Sequence, residues 1–492
     1  MRTVKIIMPD RIGKIAPEIY GHFSEHIGGV MRDGIWVGKD SSVPNINGFR
    51  KELVEKLREI APPVIRWPGG CFAETYHWRD GIGKERPVRP GWWTSIDRRY
   101  EDNAVGTHEF MEFCELVGAK PYFAVNVTSI APMEARDWLD YCLSPRGSTT
   151  LALEREKNGH PEPFNIPYFG IGNENWGGGG NMTPDYYAME YRRFATVMWN
   201  IVYGRKFVGQ PCDFIVGGAN GGDFNWTHAL AANLEQVPVP IGGMSFHYYC
   251  GRAGDPLHFS IDEWYEQLRK AEIMEWLINR HYAIVKGRGL EGKMKLVIDE
   301  WGCWHPEGSG PSKGYNLFEQ QSTMRDAMVA AVTLNIFNNH CDKIKMANVA
   351  QLCNNLHALF LTGGEHCVTT PTYHVFNMFK SHQGGDGLRV LVDDNADLRN
   401  RISASASVKD GKLTLTLANL NCEQDVDLDL EFLGLRGALK NAVVTALASE
   451  DVHACNTFEA PDAVVPKRLD MDLSAPITVP KAGIVCITAD ID

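Results

Sequence analysis

"IPYFGIGNENWGGGGNMTPDYYAMEYRRFATVMWNIVY", residues 166–203, holds one complete strand–turn–helix unit. Its first part, "IPYFGIGN" (166–173), is a short apolar run of the kind that forms a strand buried on both faces. Its last part, "PDYYAMEYRRFATVMWNIVY" (184–203), repeats apolar residues at three- and four-residue spacing, as an amphipathic helix requires. Between them stands a turn with one acid, Glu174, flanked by Asn173 and Asn175 and followed by Trp176 and four glycines.

The same unit recurs along the chain. Further strand-like runs are "IYGHFS" (19–24), "PVIRWPG" (63–69), "KPYFAVNV" (120–127) and "DFIVGGAN" (213–220). The series continues with "GGMSFHYY" (242–249), "KLVIDEW" (295–301) and "KIKMANVAQ" (343–351). Helical patterns such as "GFRKELVEKLREIA" (48–61) and "THEFMEFCELVG" (107–118) separate them. Eight nearly continuous apolar strands imply a parallel sheet covered by helices. Closure into a (β/α)8 TIM barrel is the natural architecture for that count, with a doubly wound open sheet as the alternative.

After about residue 384 the texture changes. "RISASASV", "KLTLTLANL" and "QDVDLDLEF" alternate apolar and polar residues, with "KDGK" and "NCEQ" as turn signals. Period-2 alternation over many short strands predicts a C-terminal antiparallel β-sandwich, jelly-roll-like in form, over 381–492. "RTVKIIM" near the start has the same texture, so 1–15 is expected to add a strand to it. The barrel then occupies 16–380 as an insertion.

Composition narrows the function. At 492 residues the chain exceeds the size at which one hydrophobic core stops growing, so two domains are expected. A net charge of −12 argues against nucleic acid and anionic membranes, which need basic surface. The N-terminal apolar run is short and ends at Pro9, which does not fit a secretory leader. "AMVAAVTLNIF" (327–337) is too short to span a bilayer. Twelve cysteines without a C-x-x-C pair fit reduced thiols in a cytoplasmic enzyme better than a disulfide framework.

In a barrel of this kind the active site lies at the C-terminal ends of the strands. Strand 1 ends in Glu25 and His26, strand 2 in Arg66 and Trp67 with Cys71 beyond, and strand 3 in Asn126. Strand 4 ends in Asn173 and Glu174, strand 6 in His247 and Tyr249, strand 7 in Glu300 with Trp301 and Trp304, and strand 8 in Gln351. Strands 4 and 7 lie on roughly opposite sides of an eight-stranded barrel, so Glu174 and Glu300 face each other across its mouth. Paired carboxylates are what glycoside hydrolysis needs: one protonated to release the leaving oxygen, one ionised to attack or to activate water. Amides such as Asn173 and Gln351 suit sugar hydroxyls, which both donate and accept.

Several motifs in this order, "YGHFSEHIGG", "RWPGGCF", "YHWRDGIG", "GIGNENWGGGGNM", "LVIDEWGCW" and "MANVAQLCN", resemble glycoside hydrolase family 51, the α-L-arabinofuranosidases. The resemblance runs across almost the whole barrel and into the trailing sandwich. It implies Glu174 as acid/base and Glu300 as nucleophile of a retaining, exo-acting hydrolase that needs no cofactor and no metal. It implies substrate contacts from Glu25, Asn173 and Gln351, with His247 and Tyr249 supporting the nucleophile. Trp304 resembles a wall of the subsite and Trp176 an aglycone contact. Cys71 stands where many members carry Asn. The resemblance further implies an arabinose-containing oligo- or polysaccharide substrate, from arabinan or xylan, and a homo-oligomer, often a hexamer.

Other readings compete at particular residues. The same constellation serves an endo-β-1,4-glucanase or a β-xylosidase, and a catalytically silent carbohydrate-binding protein is the alternative outside enzymes. Glu25 could instead anchor Arg66 or His26 in an ion pair, and Tyr249 could be packing. The glycine run invites a phosphate-loop reading, but Asn175 stands where the third glycine of G-x-G-x-x-G belongs. Cys353, His357, His366 and Cys367 cluster in sequence without the spacing of a common zinc site. No G-x-S-x-G elbow is present.

Overall fold

The computed structural model describes residues 2–393 and 397–491. Met1, Asp394–Ala396 and Asp492, which fall within the terminal-strand and sandwich expectations, lie outside the described residues. Eight parallel strands form a closed barrel: β1 (Gly21–Phe23), β2 (Val64–Trp67), β3 (Lys120–Val125), β4 (Tyr168–Ile171), β5 (Asp213–Asn220), β6 (Gly243–Cys250), β7 (Leu296–Cys303) and β8 (Ile344–Ala350). Each strand neighbours the next in chain order, and β8 neighbours β1. All eight fall on the apolar runs read from the sequence, and the open-sheet alternative is set aside.

The strands are buried on both faces because helices cover the outside and side chains fill the inside. On the outside, Trp67 of β2 stacks on Phe110 with centroids 4.9 Å apart, and Phe123 of β3 stacks on Trp138 at 4.9 Å. On the inside, Tyr122 of β3 donates to Asp299 Oδ2 of β7 at 3.0 Å. Gly170 of β4 makes room for that tyrosine, since a Cβ there would stand 2.6 Å from its hydroxyl. The helix after β4, Pro184–Val202, starts where Thr183 Oγ1 accepts from Tyr186 N–H and Pro184 presets the first helical φ.

The chain falls into two compact units, Gly21–Tyr248 with Asn279–Glu300, and Met1–Tyr20 with Tyr249–Ile278 and Trp301–Asp492. The second contains a nine-stranded sheet. Its order is Lys467–Leu469, Lys440–Leu447, Ile484–Asp490, Lys412–Asn419, Ile402–Lys409, Asp386–Val392, Arg2–Lys14, Val426–Leu433, Ile477–Val479. Strand Arg2–Lys14 runs antiparallel to Asp386–Val392 and parallel to Val426–Leu433. Alternation of apolar and polar residues reports that strands exist but not their direction, so this one parallel pair had no signature. Val444, Leu415, Ile6 and Ile477, drawn from strands across the whole order, share one apolar core, so the sheet wraps around it as a sandwich does.

The opposite face of that sheet departs from the simple reading of alternation. Ser405, Ser407 and Thr416 are buried, not solvated. Ser405 and Thr416 each donate to Asn335 Oδ1 at 2.7 Å, and Asn338 Nδ2 donates to Ser405 Oγ at 3.0 Å. Both asparagines project from helix Met324–Asn339, which opens on a Thr323/Asp326 capping box. His382 bonds Ser407 and Thr416, and burial holds its pKa near 3, so it sits there neutral.

Candidate active site

Glu300 is buried within β7, three residues before its end, and its Oε1 accepts from Arg66 Nη1 of β2 at 2.8 Å. The other arm of the same guanidinium, Nη2, donates to Asn173 Oδ1 at 2.6 Å. Burial works against the Arg66 charge, but Asp299 and Glu300 outweigh it and hold its pKa above the ordinary range. The ring of Phe23 lies 4.7 Å from the guanidinium carbon. Arg66 is thus a fixed charge that orients the Glu300 carboxylate and the Asn173 amide together.

Glu174 sits on the turn after β4 with φ +44°, a left-handed conformation that costs a non-glycine residue on the order of 1–3 kcal/mol. Its Oε1 accepts from His247 Nδ1 at 2.9 Å, and the same nitrogen lies 3.6 Å from Glu300 Oε2. A carboxylate oxygen from each glutamate and a nitrogen of His247 all fall within 4.8 Å of one another. Burial opposes a charged imidazole at His247, yet the Glu300 charge and the Glu174 bond prevail and move its pKa upward. His247 therefore bridges both carboxylates, with its short bond to Glu174, while Arg66 bonds the other oxygen of Glu300.

The four glycines after Trp176 form a closed turn. Glu174 O accepts from Gly177 N–H at 2.7 Å and Gly179 N–H at 3.0 Å. A Cβ at Gly179 would stand 1.8 Å from Asn173 O, and one at Gly178 would stand 2.6 Å from Cys71 Sγ and 3.2 Å from the Trp92 ring. Close approach, rather than looseness, requires glycine at both places. The turn spends those amides on its own carbonyl, so the phosphate-loop reading fails. Trp176 itself is half-buried in the turn.

Cys71 donates weakly to Glu174 Oε2 at 3.8 Å and accepts from Asn173 Nδ2 at 3.9 Å. Burial, with Glu174 beside it, pushes the thiol pKa up, so it stays a neutral contact. Glu25 accepts from Phe72 N–H at 2.9 Å and from Trp93 Nε1 at 3.0 Å. Burial raises its pKa to about 7, with those two bonds pulling the other way. The ion pairs considered for Glu25 belong elsewhere: Arg66 takes Glu300, and His26 bonds Glu101 at 3.0 Å and accepts from Trp67 Nε1 at 2.9 Å.

In the second unit, Tyr249 meets Trp304 edge to face at 5.1 Å, and Trp304 meets Phe318 at 5.1 Å. Gln351 is buried and its N–H donates to Asn355 O at 3.1 Å. The Cys353, His357, His366 and Cys367 group disperses: Cys353 contacts Thr362, His357 lies between Cys303 N–H and Asp326 O, and His366 stacks on Phe458. Cys303, His305 and Asp326 do come within 4.8 Å, all buried. There Asp326 accepts from His305 Nε2 with one oxygen and caps its helix with the other, as a buried histidine–aspartate pair.

Sequence reading had no means to assign Arg66 to Glu300 or Trp93 to Glu25, because both bonds span loops of unrelated length. The position of Arg66 at a strand end was the only available signal.

Comparison with known proteins follows the same outline. Two family models match, described as the α-L-arabinofuranosidase 1 domain over residues 56–206 and the α-L-arabinofuranosidase C-terminal domain over 299–482. An intracellular exo-α-L-arabinofuranosidase of Bacteroides ovatus is 38% identical over 92% of this chain and 88% of its own. A probable α-L-arabinofuranosidase C of Aspergillus fumigatus is 31% identical over 92% and 90%. Among solved structures, the GH51 arabinofuranosidase from Xanthomonas axonopodis pv. citri superimposes with a TM-score of 0.90 at 34% identity, covering 100% of both chains.

Proposed function

The chain belongs to the α-L-arabinofuranosidase family of glycoside hydrolases, and from that premise we propose that it releases terminal non-reducing α-L-arabinofuranosyl residues by a retaining double displacement. The observation that carries the mechanism is the approach of the Glu174 and Glu300 oxygens to within 4.8 Å. Retaining enzymes keep their carboxyl groups roughly 5–5.5 Å apart, whereas inverting ones leave room for water at roughly 6.5–9.5 Å.

Glu300, bonded by Arg66, attacks the anomeric carbon and forms a glycosyl ester while Glu174 gives its proton to the leaving oxygen. Glu174 then takes a proton from water, whose oxygen attacks the same carbon and releases Glu300. His247, bonded to Glu174 and close to Glu300, is suited to steady both through the change of charge. Asn173, fixed by Arg66, is the natural partner for a sugar hydroxyl, with Glu25, Cys71 and Gln351 as further polar contacts. By resemblance Tyr249 is proposed to support the nucleophile with His247, Trp304 to wall the subsite and Trp176 to meet the aglycone.

A panel of aryl glycosides tests the reading: turnover is expected on α-L-arabinofuranoside and not on β-D-xyloside, α-L-arabinopyranoside or β-D-glucoside. Proton NMR of the first product should show retained anomeric configuration; inversion would sink the mechanism. The B. ovatus relative is named as intracellular, which supports a cytoplasmic location, and no described helix is long and apolar enough to cross a membrane. A homo-oligomer, a hexamer by resemblance, is checked by light scattering.

A further inference from the structure

A third carboxylate, Glu74, is fully buried on the short turn Cys71–Thr75 after β2. Its Oε2 accepts from the backbone N–H groups of Val127 at 2.8 Å and Thr128 at 2.9 Å, just beyond β3. Its Oε1 accepts from Asn173 N–H at 2.6 Å and from Asn175 Nδ2 at 3.5 Å, just beyond β4. Its own carbonyl oxygen accepts from Ser129 Oγ at 2.9 Å. One side chain therefore ties the ends of two barrel strands together and holds the residues on both sides of Glu174. Asn175 extends the grip, donating from the same nitrogen to Gly179 O at 2.8 Å.

We infer that Glu74 is the positioning residue of the acid/base, fixing through Asn173 and Asn175 the left-handed backbone from which Glu174 reaches the leaving oxygen. The inference rests on the reading of Glu174 given above. Both oxygens of Glu74 face N–H donors, a set that a carboxylate satisfies at each end. Glu74→Gln places an NH2 group against a backbone N–H at one end, releasing either the β3 or the β4 side. Glu74→Asp keeps the carboxyl group but is one methylene shorter and reaches only one strand end.

The test is a series of aryl α-L-arabinofuranosides with graded leaving groups, measured as kcat/KM for wild type, Glu74→Gln and Glu74→Asp. With the acid displaced, Glu74→Gln should lose about 100-fold on the poorest leaving group but no more than about threefold on the dinitrophenyl substrate, which departs without a proton. Deglycosylation needs the same group as base, so kcat on the dinitrophenyl substrate should fall and azide should restore it, and amide hydrogen exchange across 168–182 should accelerate. Glu74→Asp should fall between, and it carries the test with the same readouts if Glu74→Gln does not fold. Equal losses on every leaving group, with the wild-type slope retained, would overturn the inference and leave the proposed function standing. Failure of the wild type to turn over any member of the series would remove the proposed function and this inference with it.

Discussion

Glu300 lies in a buried strand against a guanidinium, whereas Glu174 sits on a left-handed turn beside a histidine and a thiol, its side chain 20% exposed. The difference matches the roles proposed above, Glu300 as nucleophile and Glu174 as acid/base. A nucleophile has to be aimed at all times, and a permanently charged arginine, anchored by its second arm on Asn173, does so. An acid/base has to gain and lose a proton within each turnover, so its partner is a histidine, which can adjust its own charge. The nucleophile inherits its precision from a regular strand. The acid/base depends on a turn that must be built, from a strained φ, close-packed glycines and polar side chains at its flanks.

The largest expected break in this comparison is on the nucleophile side. Glu300→Ala should lower kcat by roughly 10⁴-fold or more, with no rescue by azide at the retained configuration. Undiminished turnover would remove Glu300 from the chemistry. Glu174→Ala should cost on the order of 10²–10⁴ on poor leaving groups and recover with azide on activated ones, which kinetic measurements with both substrate types will check. Arg66→Lys sharpens the contrast: losing the two-armed grip on Glu300 and Asn173 should cost about 10²-fold in kcat/KM. The loss should be similar for good and poor leaving groups; a strong leaving-group dependence would mean that Arg66 serves the acid instead.

Glu25 offers the smallest effect and a pH signature. Its folded pKa of about 7 lies above the ordinary carboxyl value, so its contribution is fully present at low pH and is lost as pH rises through about 7. Glu25→Gln removes that loss. Denaturant unfolding should show the variant gaining roughly 1–3 kcal/mol on wild type between pH 4.5 and 8, because each tenfold change in proton affinity on folding is worth about 1.4 kcal/mol. A difference that does not change with pH would place the Glu25 proton elsewhere.

Much of this was legible in the sequence because strands buried on both faces leave continuous apolar runs, and strand ends then fall where the barrel places them. Glu174 and Glu300 could be paired on that basis alone. Arg66 and Trp93 could not be matched to their partners, since the order of strands around a barrel says nothing of which long side chain crosses it. The polar stripe "SASAS" shows the limit of alternation: it tells that one face differs from the other, not whether the polar face meets solvent. Asn335 and Asn338 on a helix far upstream are what make it dry.

The strand Arg2–Lys14 has one further consequence. It lies between Asp386–Val392 and Val426–Leu433, inside the sheet rather than at its edge. At a translation rate of about 5–20 residues per second, it leaves the ribosome on the order of half a minute before either neighbour exists. During that interval its unpaired N–H and C=O groups are open to any other strand edge. The sheet therefore cannot close around this strand until both Asp386–Val392 and Val426–Leu433 have been made.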